Sequence, residues 1–120
     1  MIDLYGIPHC DTVKRARAWL DGQGAAYRFH DFKKEGVPAE ALQRWMAALG
    51  WEALVNRRGT TWRQLDAATR EAVVDADSAA RVLMANPSLV KRPVVEWAGG
   101  RQITAGFDAQ AWPALAARGD

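Results

Sequence analysis

The stretch from residue 2 to residue 32, "IDLYGIPHCDTVKRARAWLDGQGAAYRFHDF", decides the fold. It opens with a short apolar run over residues 2–7 that Pro8 ends, which is typical of a β-strand. From residue 11 or 12 to about residue 23, apolar side chains recur at helical spacing. The alternating segment 26–32 predicts a second strand. Two strands joined by one helix predict a β-α-β unit with parallel strands and a right-handed crossover.

The remainder of the chain divides into a mostly helical block, about residues 34–90, and a closing β-β-α segment. Asp75 or Asp77 is the expected N-cap of the last helix in this block, and Thr60 or Thr61 is a candidate cap in a loop before it. The predicted elements are helical segments over 39–50, 51–56, 67–74 and 77–86, a loop over 57–66, strands over 91–97 and 101–107, and a helix over 108–117. The whole pattern predicts an α/β fold.

The composition fits one globular domain and excludes several kinds of site. The chain has 120 residues, of which 49% are hydrophobic and 25% charged, and its formal net charge is +2. A single cysteine excludes an internal disulfide and a CxxC…CxxC metal framework, and it predicts a reducing compartment, the cytoplasm. No apolar stretch is long enough to span a membrane, and no secretory signal is expected. The small basic excess and the scattered tryptophans argue against a nucleic-acid partner.

Cys10 lies where the first predicted strand gives way to the first helix. Unpaired backbone N–H groups and the positive end of the helix dipole meet at such a point, and both stabilise a thiolate. Lys14 adds positive charge one turn along, whereas Asp11 opposes it. His9 is expected to be a solvated loop residue, because neighbours in an extended segment point in opposite directions. The alternative is an inert, buried cysteine, since free cysteines are among the most buried residues.

Five segments of the chain, in the same order, resemble the ArsC/Spx family, and most closely its YffB branch. They are "YGIPHCDTVKRARAWL" (5–20), "YRFHDF" (27–32), "LGWEALVNRRGTTWRQL" (49–65), "VKRPVV" (90–95) and "AGFD" (105–108). The resemblance covers about residues 2–115. It implies one domain with a thioredoxin-like fold, in which a mixed four-stranded sheet carries a helical insertion over about 34–90. It also implies that the bond between Arg92 and Pro93 is cis.

The resemblance to ArsC-type arsenate reductases implies a role for Cys10 as the nucleophile that attacks the oxyanion. Arg92 matches one of the three arginines that hold this oxyanion in the family. The second falls at Asn56, with Arg57 and Arg58 just beyond it, and the third falls near Ala105. Arg57 or Arg58 could replace the second arginine if the loop bends suitably, so the oxyanion site loses one or two of its three guanidinium groups. This loss weighs against arsenate as the substrate.

Spx-type regulators carry a CxxC pair at the same loop as a redox switch. The second cysteine position of that pair is Val13 here. An intramolecular disulfide cannot form, so this switch is absent. Spx proteins bind RNA polymerase, and the sequence neither supports nor excludes the same partner.

The resemblance to the YffB branch implies a glutathione-dependent thiol/disulfide oxidoreductase, and a single thiolate that can attack a disulfide fits this expectation. Arsenate reduction coupled to glutathione and glutaredoxin, and non-catalytic protein binding in the manner of Spx, are the alternatives. No tightly bound cofactor is expected. Glutathione or a small oxyanion is the expected ligand, and glutaredoxin or another protein is a candidate partner. The predicted site comprises the nucleophile Cys10, the thiolate surroundings Asp11, Thr12 and Lys14, and the substrate-binding residues Arg92, Pro93, Arg58, Arg57 and Lys91.

Overall fold

The fold is built on one mixed four-stranded sheet in the computed structural model, which describes residues 1–117. The strands are β1 (Ile2–Gly6), β2 (Tyr27–Asp31), β3 (Val94–Trp97) and β4 (Gln102–Ala105). Their order across the sheet is β2-β1-β3-β4. β1 and β2 are parallel, whereas β3 pairs antiparallel with both β1 and β4. The predicted β-α-β unit, the two closing strands and the mixed thioredoxin-like sheet are confirmed.

The helices follow the predicted order. They are α1 (Asp11–Gly22), α2 (Phe32–Glu35), α3 (Ala39–Leu49), α4 (Trp51–Leu54), α5 (Thr60–Gln64), α6 (Ala67–Glu71), α7 (Ala76–Ala85) and α8 (Trp112–Ala117), with single 3-10 turns at Pro87–Leu89 and Ala98–Gly100. The bond between Arg92 and Pro93 is cis, as the resemblance implied.

Two short helices differ from the sequence prediction. α2 replaces the end of the second strand and part of the following loop, and the Asp31 carboxylate accepts the Lys33 N–H (2.8 Å) at its start. α5 lies inside the segment that we predicted as a loop, and neither Thr60 nor Thr61 is its N-cap, which is Gly59. A single helical turn shows no repeating apolar face, so periodicity does not reveal it.

The described chain divides into two compact units. The first contains residues 1–34 and the chain from residue 92 onward, and the second contains residues 35–91. The bounds of the second unit lie close to those of the predicted insertion. The prediction of a single domain stays a prediction.

The first unit has its apolar core on one face of the sheet. Leu4 and Val95 face each other across β1 and β3, and both are fully buried. Trp112 of α8 packs edge-on against Trp97, with ring centroids 4.9 Å apart. The other members of this core cluster, from β1 and α1, are Ile2, Val13, Ala16 and Leu20. Burying each large side chain contributes roughly 1.5–3 kcal/mol, so this cluster fixes α1 on the sheet.

The opposite face of β1 carries Asp3, which is only 7% exposed. Arg28 of β2 binds both its carboxylate oxygens, at 2.8 and 3.1 Å, and Nε2 of His30 lies 2.8 Å from one of them. Burial raises the pKa of Asp3, but the hydrogen bonds from Arg28 and His30 outweigh it and lower that pKa below its usual value. His30 is thus a half-buried structural residue of the sheet.

The second unit is made of helices α3 to α7 and the 3-10 turn after them. Backbone hydrogen bonds from Asn56 to Leu89 and from Lys91 to Leu54, both 2.8 Å, join two of its loops. Asp75 is the N-cap of α7, where its carboxylate accepts the N–H of Ser78 at 2.8 Å. No helix within residues 1–117 has the length and apolar character that crossing a bilayer requires.

Candidate active site

Cys10 stands at the junction between β1 and α1. Its N–H donates to the Ile7 carbonyl (3.1 Å), which closes a turn after the strand. Its own carbonyl accepts the N–H of Lys14 (2.9 Å), the first hydrogen bond of the helix. Cys10 is therefore the N-cap of a 12-residue helix, with an extended backbone (φ −74°, ψ 126°) and a half-exposed side chain. The expectation that its sulfur lies at the positive end of α1 is met.

The surroundings of the sulfur favour its ionised form. Burial raises the pKa of Cys10, but hydrogen bonding from the Val13 N–H, the charge and hydrogen bonding of Arg92, and the Thr12 N–H together lower it below 9.0. Within the described chain, the side chain makes none of the close cap hydrogen bonds that an oxygen-bearing N-cap makes. A thiolate is a better acceptor than a thiol for such N–H groups, so they favour the ionised sulfur.

Arg92, two residues before the start of β3, acts on the Cys10 sulfur through its charge and hydrogen bonding. It immediately precedes the cis bond to Pro93, whose carbonyl accepts the N–H of Gly106 at 2.9 Å. That bond continues the pairing of β3 with β4, in which Val94 lies opposite Ala105. The Nε atom of Arg92 is buried. The sheet therefore anchors the backbone next to Arg92, and its buried Nε leaves the side chain less freedom than a surface arginine has.

The roles predicted for the remaining residues around the thiolate stay predictions. Thr12 acts through its backbone N–H, which the sequence argument did not distinguish from its side chain. Asp11 and Lys14 lie in the first turn of α1 with exposed side chains, and Arg92 supplies the positive charge that acts on Cys10. We did not predict the Val13 contribution. Its position three residues after the N-cap was the available signal, because N-cap side chains accept from that N–H.

Three predicted binding residues belong to the second unit. The guanidinium of Arg57 lies 5.6 Å from the ring centroids of both Trp51 and Trp62, and this double cation–π contact restrains it. Arg58 donates its N–H to the Asn56 side chain (3.2 Å), and its own side chain is exposed.

Lys91 is also exposed, and its N–H donates to the Leu54 carbonyl. The structure thus places Cys10, Arg92 and Pro93 in the first unit, and Arg57, Arg58 and Lys91 in the second. The roles predicted for all six residues stay predictions.

Two departures from the family pattern are visible in the structure. Asn56, at the position of the second family arginine, uses its side-chain oxygen within its own loop. Ala105, near the position of the third, is the last residue of β4. Within residues 1–117, no cluster of three or more His, Cys, Asp or Glu side chains is suited to a metal ion.

Known proteins are similar to this chain along most of its length. A solved structure of a protein named YFFB is 45% identical, with a TM-score of 0.90, and the match covers 97% of this chain and 99% of that one. An arsenate reductase (ArsC) related protein from Brucella melitensis is 47% identical, with a TM-score of 0.72 over 94% of this chain and 92% of that one.

Two curated relatives extend the comparison. An uncharacterized protein from Haemophilus influenzae is 41% identical over 95 residues, which are 79% of this chain and 82% of the relative. The global transcriptional regulator Spx of Streptococcus mutans is 25% identical over 97 residues, 79% of this chain and 69% of the regulator. The model of the ArsC family matches residues 5–115, and the chain belongs to this family.

Proposed function

We propose that this protein is a thiol/disulfide oxidoreductase that uses the Cys10 thiolate as its nucleophile and glutathione as its co-substrate. The observation that carries the proposal is the convergence of the Val13 N–H, the Thr12 N–H and Arg92 on one half-exposed sulfur. The thiolate is the nucleophilic form of cysteine, so surroundings that lower the pKa raise the reactive fraction at neutral pH.

The proposed cycle needs only one cysteine and an external thiol. The Cys10 thiolate attacks the glutathionyl sulfur of a mixed disulfide, so a Cys10–glutathione disulfide forms and the substrate leaves as a thiolate. The thiolate of a second glutathione then attacks the glutathionyl sulfur. Oxidised glutathione leaves, and Cys10 returns as a thiolate. Two glutathione moieties are thus joined by the disulfide, and the substrate takes up one proton from water to become a thiol.

Glutathione suits the cationic residues that we predicted as its binding residues. Its carboxylates are natural partners for guanidinium and ammonium groups, for which we propose Arg92 first and Arg58, Arg57 and Lys91 as further binding residues. Main-chain groups flanking Pro93 are proposed to pair with its peptide backbone. Glutathione is a diffusible co-substrate in this scheme, no cofactor is tightly bound, and a reducing compartment such as the cytoplasm supplies it.

The direct test is the rate of deglutathionylation of a glutathione mixed-disulfide peptide by the wild-type protein and by Cys10→Ser. The substitution removes the nucleophile, so we expect the rate to fall to that of glutathione alone. Ala18→Ser, at an exposed position of α1, is the matched control and should keep the wild-type rate. An active Cys10→Ser variant would end the proposal.

Arsenate is the second candidate substrate. A guanidinium beside the thiolate suits an oxyanion adduct at sulfur, and the Brucella melitensis relative is described as arsenate reductase related. Asn56 and Ala105, in place of two family arginines, argue against it. Arsenate-dependent consumption of NADPH in an assay coupled to glutaredoxin separates this candidate from the first.

Protein binding without catalysis is the third candidate, favoured by the Spx relatives. Val13 at the second cysteine position excludes the two-cysteine switch but leaves binding open. RNA polymerase that co-purifies equally well with the wild-type protein and with Cys10→Ser would support this candidate over the enzyme.

A further inference from the structure

Gly6, the last residue of β1, lies unusually close to α1. An ideal Cβ built on Gly6 would stand 2.8 Å from Cγ2 and 3.4 Å from Cγ1 of Val13. The first distance is shorter than carbon atoms tolerate. Gly6 is not among the glycines with positive φ, so its backbone suits alanine equally well. The side chain of Val13 is therefore the obstacle to a larger residue.

Val13 has little freedom to move aside. It is fully buried in the core cluster of the first unit, beside Leu4 and Leu20. A β-branched residue in a helix is also largely confined to one χ1 rotamer. Added volume at Gly6 must therefore displace the backbone of the first turn of α1, because close-packed interiors transmit such strain.

The same backbone carries a group that acts on the nucleophile. Cys10 is the N-cap of α1, Thr12 and Val13 lie in the first turn after it, and their N–H groups lower the pKa of the Cys10 thiol. Such contacts depend steeply on distance and angle. A shift of a few tenths of an ångström in the first turn therefore changes how these donors face the sulfur.

We propose that Gly6 is a positioning residue for Cys10: the missing side chain lets α1 approach the end of β1, which holds the Val13 N–H against the sulfur. The importance of this for catalysis rests on the proposed function, but the geometric claim does not. Gly6 touches no reacting atom and acts through Val13.

The test compares the thiol pKa of Cys10 in four variants. In Gly6→Ala we expect a rise of about half to one unit, a fraction of the effect of losing a charge-assisted hydrogen bond completely. Val13→Ala removes the colliding methyl groups and keeps the N–H, so its own pKa is the reference for a second change at Gly6. The double variant Gly6→Ala/Val13→Ala should return to the Val13→Ala value. Gly22→Ala is the control, because beyond its chain neighbours and the nearby backbone of its own helix the described chain has nothing within 4 Å of the added carbon.

The pattern across the variants decides the matter. A purely structural role for Gly6 would lower stability and leave the pKa unchanged, which would overturn the inference. A raised pKa that Val13→Ala does not reverse would also overturn it. If Gly6→Ala does not fold, a folded double variant with the pKa of Val13→Ala supports the inference, and an unfolded double variant or a folded one with a higher pKa contradicts it. A wild-type protein without deglutathionylation activity would contradict the proposed function, but the Cys10 pKa values of the variants could still be compared.

Discussion

The first N–H groups of α1 and of α7 are satisfied by different kinds of side chain. α7 begins at Asp75, whose carboxylate accepts the Ser78 N–H at 2.8 Å, while the Ser78 hydroxyl accepts the Asp75 N–H at 3.0 Å. α1 begins at Cys10, and within the described chain it has no side-chain cap of that kind. The start of α7 has a capping box, whereas the N-cap side chain of α1 ends in a sulfur.

The difference separates a stabilising arrangement from a reactive one. Exposed N–H groups at a helix start stabilise whichever anion is placed against them, and a carboxylate is ionised throughout the neutral range. A thiol is not, so the same donors change its chemistry by favouring the thiolate. At α1 the helix start and Arg92 favour a reactive sulfur where α7 has a firm cap.

The largest expected effect follows from removing the cation at the reactive end. Arg92→Met keeps much of the apolar volume but removes the charge and the hydrogen bonding that lower the pKa of Cys10. We expect that pKa to rise by about one unit and deglutathionylation at neutral pH to fall roughly tenfold. Arg15→Met, at an exposed position of α1, is the matched control. An unchanged Cys10 pKa in Arg92→Met would contradict the assigned role.

The next effect tests the stabilising end. Asp75→Ala removes the carboxylate of the capping box, and we expect the Tm to fall by roughly 3–6 °C. Thermal unfolding followed by circular dichroism measures this, and the thiol titration should be unchanged in the same variant. Asp77→Ala is the control, because Asp77 lies two residues after Asp75 and has an exposed side chain. A changed Cys10 pKa in Asp75→Ala would show that the two helix starts are not independent.

A smaller effect is expected when the reactive end is converted into the stabilising kind. Cys10→Asp places a preferred N-cap residue at the start of α1 and keeps a negative charge beside Arg92. We expect the Tm to rise by about 3 °C relative to Cys10→Ala. Deglutathionylation should be lost in both variants. A Cys10→Asp protein less stable than Cys10→Ala would contradict the view that α1 begins without a firm cap.

The smallest effects are in the pH dependence of stability, and they occur in different ranges. Hydrogen bonds from Ser78 lower the pKa of Asp75, so its contribution is complete above the unfolded value, near 3.8, and is lost as pH falls through the folded value. The pKa of Cys10 is also lowered, so its contribution to stability is complete above the unfolded value, near 9.0, and is lost as pH falls through the folded value. The Tm difference between wild type and Cys10→Ser should therefore grow from neutral to alkaline pH. A difference that shrinks would contradict the direction of the Cys10 shift.

Much of the first unit could be predicted because its elements repeat a pattern. The alternation in β2 and the apolar spacing in α1 are long enough to identify, and their core positions, such as Val13 and Leu20, are buried as expected. α5 could not be predicted, because one helical turn carries no period. The pairing of Cys10 with Arg92 joins residues far apart in sequence. Only the family resemblance suggested it, and the contribution of the Val13 N–H to the pKa of Cys10 emerged only from the three-dimensional structure.

The most direct test of the account is a titration of the wild-type thiol, followed by thiolate absorbance at ~240 nm with Cys10→Ser as the reference. Because the chain has one cysteine, the absorbance change can be assigned to the Cys10 sulfur. We predict a midpoint clearly below the value of about 8.5 that an unperturbed cysteine shows, and below that of the same protein unfolded in urea. A midpoint at or above the unfolded value would contradict the claim that the start of α1 and Arg92 stabilise a Cys10 thiolate.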